Sequence, residues 1–213
     1  QNFQCPPIHF LASYGTLNNT LPALKNGAIS PSEKVNTANS DYNRHLTDSI
    51  HTYGSYVRVG IALYGVLSNK QDTLQWQNCL KPVLSLKAKI VSVRPLYKNE
   101  SAGYGLQFIS DRNRTIATLA IGYADGLPRS LSNQKGYVLI NGYKVPIIGS
   151  VCMDMTIVDV TDIPDVSAGG IAVVIGKSGA LESSASDIAE CAGTITNDIL
   201  SRLGGRLERI SIE

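Results

Sequence analysis

From Leu84 to Ile90 the chain alternates, with Leu84, Leu86, Ala88 and Ile90 separated by Ser85, Lys87 and Lys89. A period of two puts the apolar set on one face of a half-buried strand. "TIATLAIGY", "MTIVDVTDI" and "GIAVVIG" read as further strands. "GYVLINGYKVPIIG" holds Asn141-Gly142 between two apolar runs, which predicts a hairpin with a type I′ turn. "GSVCMDM" reads as an apolar strand carrying Asp154 between two methionines. Strands spaced in this way suggest a small barrel or sandwich. The period then lengthens. "SSASDIAECAG" offers Ser184 as N-cap, Asp187 three residues on and Gly193 as C-cap. "TITNDILSRLGG" repeats the plan with Gly204 as stop, and "RLERISIE" reads as a closing strand.

The first third is organised differently. "PPIHFLAS" looks like a buried strand feeding a loop, and residues 21–55, rich in Asn, Ser and Thr, suggest a loop or insertion. Tyr56–Val66 is apolar and β-branched with Arg58 alone in it, and "SNKQDTLQWQN" then breaks the pattern. Two domains are therefore expected, 1–75 and 76–213.

Composition narrows the function classes. Of 213 residues 43% are hydrophobic and 17% charged, enough for a buried core. The net charge is +2, with Lys and Arg scattered, which argues against nucleic acid as a partner. The longest apolar runs are too short to span a bilayer, and no signal peptide opens the chain. Cys5, Cys79, Cys152 and Cys191 form no CxxC pair, and His9, His45 and His51 have no ligand spacing, so no metal site is expected. Reduced thiols in a cytoplasmic protein are the simplest reading. The opening "QNFQCPPIHF" reads like the interior of a longer chain.

Candidate chemistry is weak residue by residue. In "NESAGYGLQF" Tyr104 sits between Gly103 and Gly105; alone, this is an ordinary turn with an exposed ring. Arg58 in an apolar strand needs partners for its five donors, either an ion pair or a ligand. Gly60 and Ile61 follow it, where backbone N–H groups could approach an anion. "GYADGLPR" carries Tyr123 in a turn, and Met153-Asp154 reads equally well as core packing beside a structural carboxylate.

Together the pieces lose this ambiguity. "VRVGIALYG", "LSLKAKIVSVRPLYKNESAGYG", "IGYADGLPR", "PIIGSVCMDM" and "AGTITNDILSRLGGR" follow the order seen in alanine racemases. The resemblance covers nearly all of the chain after Tyr56, plus "CPPIHFLASYG" near the start. "HFLASYGTLN" and "AGTITNDILSRL" look most like serine/alanine racemases of the vancomycin-resistance type. The implied fold is the end of a TIM-type α/β barrel followed by a C-terminal mostly-β, barrel-like domain. The implied activity is interconversion of L- and D-alanine, and of L- and D-serine, supplying D-amino acids for cell-wall synthesis. It also implies pyridoxal 5'-phosphate as cofactor and a homodimer with shared active sites. The lysine that bonds the cofactor in this family would lie upstream of Gln1, so the 213 residues alone are expected to be inactive.

The resemblance also implies roles. Tyr104 matches the tyrosine that exchanges the Cα proton on one face, offered to the neighbouring subunit. A phenol acts as a base near neutral pH only with positive charge or donors close to its oxygen. Arg58 matches the residue facing the cofactor's pyridine nitrogen. Gly60 and Ile61 match backbone donors to its phosphate. Ser13 matches a phosphate-binding hydroxyl, although Ser40 in "NTANS" also fits and Ser13 is preferred. Met153 matches the residue whose backbone meets the substrate carboxylate, Tyr123 a second tyrosine there, and Asp154 a structural carboxylate. Asn197 departs from the pattern, since the family usually has a tyrosine at that place. A smaller amide leaves room for a side-chain hydroxyl, favouring serine beside alanine, modestly. A β domain used only for dimerisation or binding is the alternative. A decarboxylase of similar architecture fits the Tyr104 and Met153-Asp154 contexts less well. This portion is expected in the cytoplasm, with membrane attachment of a parent protein through an upstream domain left open.

Overall fold

The computed structural model describes residues 36–38, 56–58, 60–76 and 78–212, in two compact units that divide between Val83 and Leu84. In the first unit β1 (Asn36–Ala38) and β2 (Tyr56–Arg58) pair in parallel, Ala38 opposite Arg58. The polar segment 21–55 therefore contributes a strand and is not wholly a loop. Apolar character beyond Arg58 does not extend the strand: Ile61–Tyr64 form one 3-10 turn, closed by Gly65 in the left-handed region. Helix α1 (Lys70–Gln75) follows, its first turn capped by the Asn69 side chain, which accepts from the Asp72 N–H at 2.8 Å. Cys79 is disulfide-bonded, against the expectation of four reduced thiols, whereas Cys152 and Cys191 are free.

The second unit is built on β3 (Leu86–Leu96), β6 (Arg114–Leu119), β7 (Tyr137–Ile140), β8 (Tyr143–Ile148), β9 (Thr156–Asp159) and β10 (Ile171–Ser178), after a small hairpin of β4 (Ser101–Ala102) and β5 (Phe108–Ile109). The sheet runs β10-β3-β6-β9-β8-β7, every pair antiparallel, and Val173 pairs with Leu139 to bring β7 back to β10. The ring is thus closed, as the barrel expectation requires, and closure removes the exposed strand edges an open sheet would carry. A further strand, β11 (Leu181–Ser183), folds back on β10.

The alternation read at the start of β3 is real: Leu86, Ala88 and Ile90 are buried, Lys87 and Lys89 exposed. Asn141 (φ 50°) and Gly142 (φ 82°) both take positive φ, as a type I′ turn demands. Inside the ring Ile90, Leu119, Val138, Val145, Ile147 and Val158 pack together. Helix α2 (Ala185–Ala192) begins with the expected capping box between Ser184 and Asp187 and ends at Gly193 with φ 71°. It lays Ile188 and Ala189 on the same core.

Three expectations fail. Residues 149–155 are irregular, linking β8 to β9, because their backbone groups pair with neighbouring turns instead of a strand. Helix α3 (Thr196–Arg202) has Leu203, not a glycine, at its C-cap. Among the described residues no strand forms over 206–212, and Ile210 and Ile212 lie exposed.

Candidate functional site

Tyr104 stands at the head of a 3-10 turn, Tyr104–Leu106, between β4 and β5. Gly103 (φ 83°) and Gly105 (φ 74°) adopt backbone that a side chain would disfavour, and Leu106 (φ 52°) follows them there. The three reversals lift the phenol off the hairpin, leaving Tyr104 77% exposed. The base of the hairpin is rigidly held. Arg114 lies against the Phe108 ring at 5.5 Å, donates to Ser110 Oγ at 3.2 Å, and pairs with Asp111 and Asp159. Burial lowers the Arg114 pKa, but hydrogen bonds to Asp111 and Asp159 outweigh it and hold the guanidinium above its ordinary value. The same hydrogen bond to Arg114 is the main reason Asp111 sits below the usual carboxylate range.

The Tyr104 turn is tied to the irregular segment that carries Met153. Ser150 Oγ donates to Gln107 Oε1 at 3.2 Å, and the Gly103 and Gly149 backbones pack closely enough that a Cβ on Gly149 would lie 3.7 Å from the Gly103 Cα. On its other side that segment meets the turn bearing Tyr123. The Tyr123 N–H donates to Cys152 O at 2.9 Å and the Ala124 N–H to Met153 O at 3.0 Å. Tyr104, Tyr123 and Met153 are therefore gathered around residues 149–155. Met153 spends its carbonyl on Ala124; among the described residues no acceptor takes its N–H. A backbone donor left over in a segment bound on both sides by tyrosine-bearing turns suits a small carboxylate.

Beneath the Tyr123 turn the Asp125 carboxylate caps its own loop, accepting from the Gly122 N–H at 2.9 Å. Arg206, past the end of α3, reaches both acidic residues of the neighbourhood: its Nε lies 3.1 Å from Asp125 Oδ1 and its Nη2 donates to Asp154 Oδ1. The hydrogen bond to Asp154, then the charge of Asp125, raise the Arg206 pKa above its ordinary value. Sequence reading missed Arg206, although it sits in the motif "AGTITNDILSRLGGR"; its partners are far away in the chain. The Asn197 Oδ1 is buried and has no hydrogen-bond partner among the described residues. A buried acceptor left unpaired costs about 1–3 kcal/mol, so such an atom signals a ligand or water that donates to it. Helix α3, which carries Asn197, packs at its other end on the Tyr123 loop, where the Arg202 carbonyl fills the space beside Gly126.

In the first unit Arg58 ends β2, and Gly60 and Ile61 open the 3-10 turn after it. The Gly60 carbonyl accepts from Leu63, whereas no acceptor takes the Gly60 or Ile61 N–H among the described residues. Adjacent free donors just past a strand carrying a cation suit a phosphate. Ser13 and Ser40 both lie outside the described residues.

A family model for the alanine racemase C-terminal domain matches residues 83–211. The chain belongs to the alanine racemase family. An amino-acid racemase of Enterococcus faecalis is 46% identical over 162 residues, which is 76% of this chain and 23% of that protein. An alanine racemase of Halothermothrix orenii is also 46% identical, over 72% of this chain and 40% of its own length. The crystal structure of the alanine racemase from Bartonella henselae, with covalently bound pyridoxal phosphate, superposes with a TM-score of 0.72 at 34% identity over 95% of this chain and 54% of that one. The chain thus spans about half or less of the racemases it matches. These matches agree with the resemblance read from the motifs and with the mostly-β domain of the family.

Proposed function

We propose that the protein to which this chain belongs is a pyridoxal-phosphate-dependent racemase of alanine and serine, working as a homodimer with shared sites. The observation that carries the reading is an exposed phenol, Tyr104, raised on left-handed turns and tied to a segment whose Met153 N–H has no acceptor among the described residues. A proton-transfer group beside a carboxylate donor is what inversion at an amino-acid Cα needs. Pyridoxal phosphate, when bound, supplies acidity at Cα by delocalising the electron pair left there. The chain's own residues do the rest. Tyr104 takes a proton from Cα on one face or returns it, and the lysine expected upstream serves the other. The Met153 N–H binds the substrate carboxylate, with Tyr123 beside it. Asn197 Oδ1, buried and without a hydrogen-bond partner among the described residues, would accept from the hydroxyl of serine.

Arg58 would hold the pyridine nitrogen, donating without giving up a proton. The Gly60 and Ile61 N–H groups would hold the phosphate. The high exposure of Tyr104 and Met153 supports a second subunit covering that face.

The test is racemisation of L-alanine and L-serine by the complete parent protein with pyridoxal phosphate, read by chiral analysis. Both D-enantiomers should form, and the 213-residue chain alone should form neither. A complete parent that inverts neither amino acid would overturn the reading in favour of a binding or dimerisation domain.

A further inference from the structure

Arg206 joins two turns that lie far apart in the chain. Asp125 belongs to the turn that presents Tyr123, and Asp154 follows Met153 directly. One guanidinium bridges the two carboxylates, and Asp125 passes the constraint on through its other oxygen to the Gly122 N–H at 2.9 Å. The backbone bonds Tyr123 N–H to Cys152 O and Ala124 N–H to Met153 O run parallel to this bridge. They hold the two turns together without it, but they do not fix the residue beyond Met153. Arg206 and Asp154 are both about half exposed, with side-chain accessibilities of 54% and 53%. Ion pairs this open to water add little to stability. What the bridge adds is geometry: a planar fork between two carboxylates sets their separation in a way a single ammonium cannot.

We propose that Arg206 is a positioning residue, which by bridging Asp125 and Asp154 holds the Met153 N–H at the separation from Tyr123 that a substrate carboxylate requires. The substrate part of this inference rests on the racemase reading. The bridge acts on binding and not on proton transfer, since Arg206 touches neither Tyr104 nor Asn197. Its removal should therefore raise KM with kcat nearly unchanged.

The experiment uses the complete parent protein loaded with pyridoxal phosphate, as wild type, Arg206→Gln, Arg206→Lys, Asp154→Asn and the Arg206→Gln/Asp154→Asn pair. Two readouts are taken: steady-state racemisation of alanine, and amide hydrogen exchange across residues 122–126 and 152–155. Arg206→Gln should raise KM about tenfold with kcat within about threefold of wild type, and Arg206→Lys should fall between. The pair should do no worse than Arg206→Gln, because both changes break one bridge. Exchange should quicken in those two segments and stay slow in β6 and β9. Unchanged exchange in the two segments overturns the bridge, whatever the activity. Faster exchange with an unchanged KM overturns its role in substrate binding, as does a fall in kcat at constant KM. A wild-type protein inverting neither alanine nor serine sinks the racemase reading and the substrate role with it, while the exchange data still decide the bridge.

Discussion

Substituting Gly122 should be the most damaging small change near the candidate site. Its backbone is extended (φ −148°), so an L-residue is permitted there and no conformational penalty applies. The obstacle is space. A Cβ on Gly122 would lie 2.3 Å from both Cys152 O and Met153 O, well inside the 3.4 Å of an ordinary contact. Those atoms are backbone carbonyls and cannot rotate away. The Tyr123 turn must move off the Met153 segment, weakening the bonds of 2.9 and 3.0 Å that join them. Overpacking costs about 1–3 kcal/mol and each of the two weakened bonds about 1 kcal/mol, so Gly122→Ala should destabilise by about 3–5 kcal/mol. For a chain of this size that lowers Tm by about 10 °C. Two controls separate space from backbone angle. At Gly193 nothing lies within 4 Å but φ is +71°, so Gly193→Ala should cost about 1 kcal/mol. Gly205 has neither obstacle, and Gly205→Ala should be neutral or slightly stabilising. Urea unfolding of the three variants, compared by midpoint at constant slope, gives the ranking. A Gly122→Ala midpoint no lower than that of Gly205→Ala would refute the reasoning.

Asp159→Ala strips Arg114 of one carboxylate and the Thr161 N–H and hydroxyl of their acceptor, and should lower stability by about 2 kcal/mol in urea unfolding, whereas a loss under about 0.5 kcal/mol would show the network to be ornamental. Asp198 is held below its ordinary 3.8 by its hydrogen bond to Arg202 and by that from Thr194, so its contribution is present above pH 3.8 and fades as pH falls below it; Asp198→Asn should flatten the acid limb of a stability–pH curve there, and an unchanged limb contradicts the pairing. Asn197→Tyr removes the buried unpaired acceptor and should lower serine turnover relative to alanine in the complete protein by about tenfold, read by chiral analysis; an unchanged ratio excludes Asn197 from choosing the substrate.

Local signals in the sequence were readable because a few neighbours decide them. Alternation fixed the faces of the Leu86–Ile90 stretch, Asn141-Gly142 fixed the hairpin, and Ser184, Asp187 and Gly193 fixed both ends of the second helix. Tyr104 could be placed in a turn because glycines flank it. What depends on distant partners was not readable. Nothing in "GIAVVIG" tells that Val173 meets Leu139 and closes the ring. The alternation in "RLERISIE" resembles a strand, but a strand needs an edge to join. Apolar residues around Met153 suggested a strand, although their backbone groups go to the turns of Tyr123 and to residues 132–134. Arg206 was invisible for the same reason, its two carboxylates lying 81 and 52 positions upstream, at residues 125 and 154. The missed strand at Asn36–Ala38 lay in a polar stretch, where composition speaks for a loop and only pairing with Tyr56–Arg58 speaks for a strand.

The measurement that bears most directly on the central claim is exchange of the Cα proton with solvent deuterium, from L- and D-alanine and L- and D-serine, in the complete parent protein with pyridoxal phosphate. Tyr104→Phe is compared with wild type. If Tyr104 is one of two face-specific bases, the variant loses exchange from one enantiomer of each amino acid and keeps it from the other. Equal exchange from both enantiomers in the variant, or none from any of the four in wild type, would contradict the account.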